Sequence, residues 1–248
     1  MNRVIALLTD FGPSEYVGVL KGVLLAQAPG AALVDLTHDV SPQCVREGAW
    51  LLLHSYRWFP RGTVFLAVVD PTVGTARAAV AVRTRSYFFV GPDNGLLYPA
   101  AEEDGICEVA ALAVPADASR TFHGRDVFAP AAARLAAGEP LRSLGAPHAS
   151  LAALSLRPDG REGEVVRIDR FGNCITNLPP LPGRTEYRAW IERGRLPTVL
   201  PWRPTYAAAG PEPLFVTESS YGTLEIAARN TSAQALVQTA VGARVRLE

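Results

Sequence analysis

Thiols, amines and excess charge are all scarce in this chain of 248 residues. Cys44, Cys107 and Cys174 are odd in number and far apart, with no C-x-x-C pair. That spacing argues against a disulfide framework and against a thiolate zinc site. Lys21 is the only lysine, and the remaining cations are arginines, a bias we read as coding preference. Basic and acidic residues balance at 24 each, for a net charge of zero, so nothing points to a nucleic-acid or anionic-membrane partner. No apolar run approaches the length of a membrane span. The opening apolar stretch, Val4–Leu8, is too short for a signal peptide, and the expectation is a cytoplasmic protein. There is no Walker loop, no G-x-G-x-x-G and no G-x-S-x-G, which disfavours phosphate cradling and a serine-hydrolase elbow.

What remains is a soluble-type composition, 48% hydrophobic and 19% charged, long enough for one large or two modest domains. Two textures divide it. In the first, strand-like and helix-like segments alternate: strands at Val4–Thr9, Ala32–Leu36, Val64–Val69, Ala79–Arg83 and Tyr87–Val90, helices at Tyr16–Ala28, Val45–Tyr56 and Val127–Ala137. The alternation predicts a layered α/β domain over residues 1–155, with a mainly parallel central sheet. In the second, short strands at Val165–Ile168, Arg188–Ile191, Leu214–Thr217, Leu224–Ala227 and Val241–Leu247 are separated by Gly, Pro and Asn turns. That texture predicts a smaller antiparallel β-barrel over residues 160–248.

Val64–Val69 is the most informative segment. An unbroken apolar run is what a strand buried on both faces looks like, and it leads straight into Asp70, a Pro/Gly loop and Arg77. Ligands of open parallel sheets gather at the carboxyl ends of the strands. Asp10, His38, Asp70, Asn94 and His123 all follow predicted strands or precede a helix, which favours a site at that edge. Asp126 is also placed to cap the helix that follows.

Two chemistries suit the set. Asp10, His38, Asp70 and His123 could ligate a divalent metal for hydrolysis, although no H-x-H, H-E-x-x-H or D-x-D spacing appears and Arg77 and Arg125 bring positive charge. Alternatively, Asp70 and His123 accept hydrogen bonds from a water while Arg77 holds the carboxylate in place, without metal. His38 and the pair Arg125–Asp126 also fit structural roles, His54 and His148 fit surface or packing roles, and Lys21 fits a buried ion pair.

Several motifs then occur in order: Leu7–Gly12, Tyr16-Val17-Gly18 with Lys21-Gly22, Val68–Pro71 with Val73-Gly74 and Arg77, Gly91–Leu96, Phe122–Asp126, Phe171-Gly172-Asn173 with Thr176-Asn177, and Leu224–Ala227. Together they resemble the S-adenosylmethionine (SAM) hydroxide adenosyltransferases, relatives of the SAM-dependent fluorinase and chlorinase, over nearly the whole chain. The resemblance implies an N-terminal α/β domain and a C-terminal β-barrel. It also implies a homotrimer with active sites at subunit interfaces. The reaction implied is SAM plus water giving adenosine and L-methionine, with SAM as substrate and neither cofactor nor metal. Asp70, Arg77 and His123 match the set associated with water activation, which the halogenases lack. Asp10 and Glu15 match the ribose pocket, Asn173 the residue facing adenine, and Asp169 and Ser220 positions near the methionine amino and carboxylate groups. Phe171 and Trp50 suit stacking or packing, Asn94 lies in a matched motif, and Glu225 suits either the pocket or a barrel contact. Three departures stand out: Thr72 replaces a usual glycine, the Gly12–Tyr16 loop is shorter than usual, and Glu15 replaces a usual Asp. The alternatives on the same resemblance are a halogenase and a SAM- or adenosine-binding protein with little turnover.

Overall fold

A computed structural model describes residues 4–248. Residues 1–3, the beginning of the Met1–Asp10 segment whose apolar core is too short for a signal peptide, lie outside the described residues. The chain divides into two compact units, the first ending at Ser155 and the second spanning Leu156–Glu248.

In the first unit, β1 (Val4–Thr9), β2 (Ala32–Thr37), β3 (Val64–Val68), β4 (Ala79–Thr84), β5 (Phe88–Pro92), β6 (Ile106–Leu112) and β7 (Gly145–Pro147) form one sheet in the order β2-β1-β3-β5-β4-β6-β7. The strands β2, β1, β3 and β5 run parallel, whereas β4, β6 and β7 add antiparallel pairings, so the sheet is mixed. Central position explains the unbroken apolar runs: Ile5–Leu8 and Val64–Val68 are buried throughout, covered on both faces. One face packs on α1 (Glu15–Gln27) and α4 (Ala129–Ala136), through Leu20, Leu24, Phe128 and the small alanines Ala129, Ala132 and Ala133. The helix α2 (Val45–Ser55) approaches so closely that a Cβ on Gly48 would lie 2.8 Å from Leu96 Cδ1 and 3.1 Å from Val69 Cγ2.

Three first-half elements were not foreseen: α3 (Tyr98–Asp104), β6 and β7. The predicted helix Val127–Ala137 begins earlier, with a π-helical turn at Gly124–Phe128 that leads into α4. Asp126 does not cap it; its carboxylate instead accepts the Ser119 N–H at 2.8 Å and pairs with Arg125. Lys21 does form an ion pair, with Asp35 at 2.6 Å, but both side chains are substantially exposed, so the pair is not buried.

The second unit is a seven-stranded sheet in the order β11-β10-β14-β8-β9-β13-β12, from β8 (Glu162–Ile168), β9 (Cys174–Thr176), β10 (Glu186–Ile191), β11 (Val199–Pro201), β12 (Leu214–Glu218), β13 (Leu224–Ala228) and β14 (Arg244–Leu247). Its ladders are antiparallel. A bridge from Trp202, just past β11, to Val216 of β12 brings the two edge strands together and nearly closes the sheet into a barrel. Val165, Tyr187, Leu200, Val216, Leu224, Ile226 and Val245 fill its interior.

Candidate active site

The parallel strands β1 and β3 deliver Asp10 and Asp70 to the same sheet edge. After β3 the chain turns at once: Pro71 supplies the fixed φ, and the Val73 N–H reaches the Asp70 carbonyl at 3.3 Å. Gly74 then takes φ +77°, and a Cβ there would sit 2.3 Å from the Arg120 carbonyl oxygen. This close approach lays the loop against the segment that carries His123. Thr72 lies outside the set of positive-φ residues, so the loss of glycine there needs no special backbone conformation. Its hydroxyl faces Asp70 Oδ1 at 3.4 Å.

Arg77 comes back to Asp70 as the sequence suggested. Its Nε donates to Oδ1 and Oδ2 at 3.1 and 3.0 Å, and its Nη2 donates to Oδ2. The same Nη2 lies 3.0 Å from His123 Nδ1. Both ion-pair side chains are nearly buried, Asp70 at 5% exposure and Arg77 at 8%. Arginine can only donate, so His123 Nδ1 must accept, and the ring proton resides on Nε2. Burial, and then the neighbouring Arg77 charge, push the His123 pKa below its ordinary value. The imidazole is therefore neutral with an Nε2–H to offer. This corrects the expectation that it accepts a hydrogen bond from water.

Asp70 and His123 line a cavity of about 550 Å³ together with Asp10, Phe11, Tyr16 and Gln43, while Arg77 stands behind its wall. Asp10 accepts the Gln43 backbone N–H through Oδ2 at 2.8 Å. Phe11, Tyr16 and Phe122 meet edge to face at centroid distances of 5.1–6.0 Å and form an apolar side. Tyr16, Gln43 and Phe122 were not singled out individually; no local pattern distinguishes them until the loops fold.

The structure sets other expected residues apart. Glu15 is exposed at the first position of α1, outside the cavity lining. Asn94 spends its amide on the backbone: Nδ2 donates to the Val69 carbonyl at 2.9 Å and Oδ1 accepts the Leu96 N–H at 3.2 Å. His38, expected to bond loop backbone or to bind metal, places Nδ1 2.8 Å from Thr9 Oγ1 and Nε2 3.0 Å from Asp35. With both ring nitrogens engaged, it is unsuited to join Asp10, Asp70 and His123 around an ion, and no group of three or more His, Cys, Asp or Glu side chains is arranged to hold a metal among the described residues. Trp50 is buried and lies against His54 at a centroid distance of 3.9 Å, so it packs. His148 pairs with Asp93 at 3.1 Å.

In the second unit a separate cavity is lined by Asp169, Phe171, Asn173, Tyr206, Arg229 and Asn230, among others. Asp169 organises the turn: Oδ1 accepts the N–H groups of Phe171 and Asn173, each at 2.9 Å, and Oδ2 accepts Asn173 Nδ2 at 2.9 Å. This orients the Asn173 amide and leaves Phe171 78% exposed, a large apolar ring at the cavity mouth. Glu225 lies outside that lining; it is buried and accepts a hydrogen bond from Tyr206, a barrel contact. Burial, with Asp169 nearby, pushes its carboxyl pKa up. Ser220 is exposed between β12 and β13, outside the cavity lining. Tyr206 and Asn230 were missed, since their loops carry no chemical pattern in sequence.

Residues 5–145 match the SAM hydroxide adenosyltransferase N-terminal domain, and residues 163–246 match the C-terminal domain of the same family. The chain is 42% identical to a Thermus thermophilus protein named (R)-S-adenosyl-L-methionine hydrolase, over 99% of both chains. A fluorinase from an Actinoplanes species is more distant, 31% identical over 84% of this chain and 85% of its own. Among solved structures, an uncharacterized conserved protein from Thermotoga maritima superimposes with a TM-score of 0.87 at 35% identity, over 98% of this chain and all of that one.

Proposed function

The chain belongs to the SAM hydroxide adenosyltransferase family, and from that premise we propose that it hydrolyses SAM to adenosine and L-methionine. The observation that carries this reading is the buried Asp70–Arg77–His123 cluster, two of whose members face the cavity. A water there donates one hydrogen bond to Asp70 and accepts one from His123 Nε2–H. One lone pair is then left to point at the ribose 5′ carbon. Its oxygen attacks that carbon, the C–S bond breaks, and the electron pair returns to sulfur as neutral methionine. The proton shed by the new 5′-hydroxyl passes to Asp70 and on to solvent. The sulfonium needs no acid to leave, so the work of the site is placement and partial desolvation of water. A carboxylate at the nucleophile position repels halide, which is why we assign water and not the chemistry of the fluorinase relative.

The remaining assignments are of the same kind. Asp10 takes the ribose hydroxyls, Asn173 reads adenine and Phe171 covers it, and Asp169 and Ser220 face the methionyl group. Asn94 and Glu225 hold neighbouring elements in place. We take residues 1–155 and 160–248 as the two domains of a cytoplasmic homotrimer with active sites at subunit interfaces. It uses no cofactor or metal and has no nucleic-acid or membrane partner. The name of the Thermus relative leads us to propose the (R) sulfonium epimer as the preferred substrate. Resolved (R) and (S) SAM, incubated without added metal or halide, test this by chromatography. Adenosine should appear faster from the (R) form; no adenosine above the uncatalysed rate from either form defeats the reading. Formation of a 5′-halo-adenosine with added chloride or fluoride would transfer it to the halogenases.

A further inference from the structure

Gln43 occupies a backbone position that suits glycine. Ser41-Pro42-Gln43-Cys44 closes a turn in which the Cys44 N–H donates to the Ser41 carbonyl at 3.0 Å. With proline second and a positive φ third, this has the form of a type II turn, where glycine or asparagine is the favoured third residue. Here that residue is glutamine at φ +63°, in the left-handed region that side chains with a Cβ avoid. The turn is firmly held: Ser41 N–H donates to Glu47 at 2.8 Å, and Glu47 is buried in α2. Gln43 N–H in turn donates to Asp10 at 2.8 Å.

That backbone bond would form equally well with glycine, so it does not account for the side chain. The Gln43 side chain lines the same cavity as Asp10, Asp70 and His123. It is exposed, and its amide has no hydrogen-bond partner among the described residues. Non-glycine residues held in sparsely populated conformations cluster where a ligand requires them. The chemistry of the neighbouring group narrows the ligand. Asp10 has one oxygen tied to the Gln43 backbone, and a carboxylate only accepts. A ribose diol needs acceptors for its two protons and donors for its oxygens, and an uncharged amide supplies what the carboxylate lacks.

We propose that the Gln43 side-chain amide is a specificity-determining contact to the ribose hydroxyls of the substrate, paired with Asp10. The inference rests on the SAM hydrolase reading above. Gln43→Gly is the informative variant, because glycine relieves the backbone strain and keeps the N–H bonded to Asp10. Binding of adenosine, 2′-deoxyadenosine and 3′-deoxyadenosine is measured by calorimetry, alongside SAM turnover and the melting temperature. The variant should melt no lower than wild type. It should bind adenosine about tenfold more weakly, the worth of one hydrogen bond, and raise KM for SAM with kcat little changed. For at least one deoxynucleoside, its affinity should match that of wild type to within about twofold. Equal affinity of wild type and variant for all three nucleosides overturns the proposal. So does an equal loss for all three, or a fall in kcat with KM unchanged, which would put the amide on the attacking water. Absence of SAM turnover by wild type would instead fail the hydrolase reading, a result separable from these.

Discussion

Replacing Arg77 by methionine keeps the bulk of the side chain and deletes every hydrogen bond it makes to Asp70 and His123. Both partners of the ion pair are under a tenth exposed, so the substitution leaves a carboxylate buried without its cation. Breaking a buried pair from one side costs about 3–5 kcal/mol. For a chain of this size the melting temperature should fall by roughly 10 °C. The catalytic loss has a separate origin. Arg77 stands behind the cavity wall, so it should affect KM little. It fixes the direction of Asp70 and, through Nη2, the tautomer of His123. Misplacing the groups that aim a nucleophile costs about a hundredfold in kcat. Arg77→Lys separates the two effects: one ammonium restores the charge, and much of the stability, but lacks the planar fork that serves Asp70 and His123 together. Its kcat should remain depressed while its melting temperature recovers. Adenosine release followed by chromatography gives kcat and KM, and thermal denaturation gives stability. An Arg77→Met protein with kcat within about threefold of wild type would refute the reasoning, as would a large rise in KM at unchanged kcat.

The His123 pKa is lowered by burial and by Arg77, so the ring stays neutral at and somewhat below pH 6.5, the ordinary value. Between that value and the depressed one the unfolded chain binds more protons, so stability from this group is lost as pH falls through the window. The acid limb of kcat should accordingly lie below pH 6.5, and a limb at or above it would contradict the assignment. Gly74→Ala places a Cβ against the Arg120 carbonyl and strains a positive φ; we expect a loss of about 1–3 kcal/mol by chemical denaturation, with reduced turnover as the loop moves from His123. Tyr206→Phe leaves the buried Glu225 without its hydroxyl donor and should destabilise the protein by about 1–3 kcal/mol, an effect that Glu225→Leu in the same background should reduce. Cys174, its thiol pushed up to about 12 by burial, should resist alkylation in the native protein while exposed Cys107 reacts, as read by mass spectrometry.

The parts of the fold legible in sequence are those whose burial leaves a continuous apolar signature. β1 and β3 could be bounded to within a residue because both faces are covered. Of the elements not foreseen, β7, β9 and β11 are only three residues long, and β6 carries a glutamate and is buried only at Ala110 and Leu112. The Asp70–Arg77 contact was legible because one short loop joins the two residues, and proline and glycine dictate its turn. His123 entered the set because it precedes a predicted helix, and the family motif added to that, although it lies dozens of positions away. The orientation of its ring was not legible at all, since a tautomer follows from which nitrogen Arg77 meets in space. Asn94 and Glu225 show the converse. Asn94 lay in a matched motif and Glu225 suited either the pocket or a barrel contact; folding spends the Asn94 amide on backbone and turns Glu225 toward Tyr206, which residue types alone do not decide. Gln43 escaped notice because its distinguishing feature is a backbone angle, which no residue pattern announces.

The central claim is that Asp70, Arg77 and His123 place a water for attack on the ribose 5′ carbon. Hydrolysis of SAM in water enriched in heavy oxygen, with mass analysis of both products, tests it directly. The account predicts that adenosine carries the label in its 5′-hydroxyl and that methionine carries none. Unlabelled adenosine, or no adenosine at all, would contradict it.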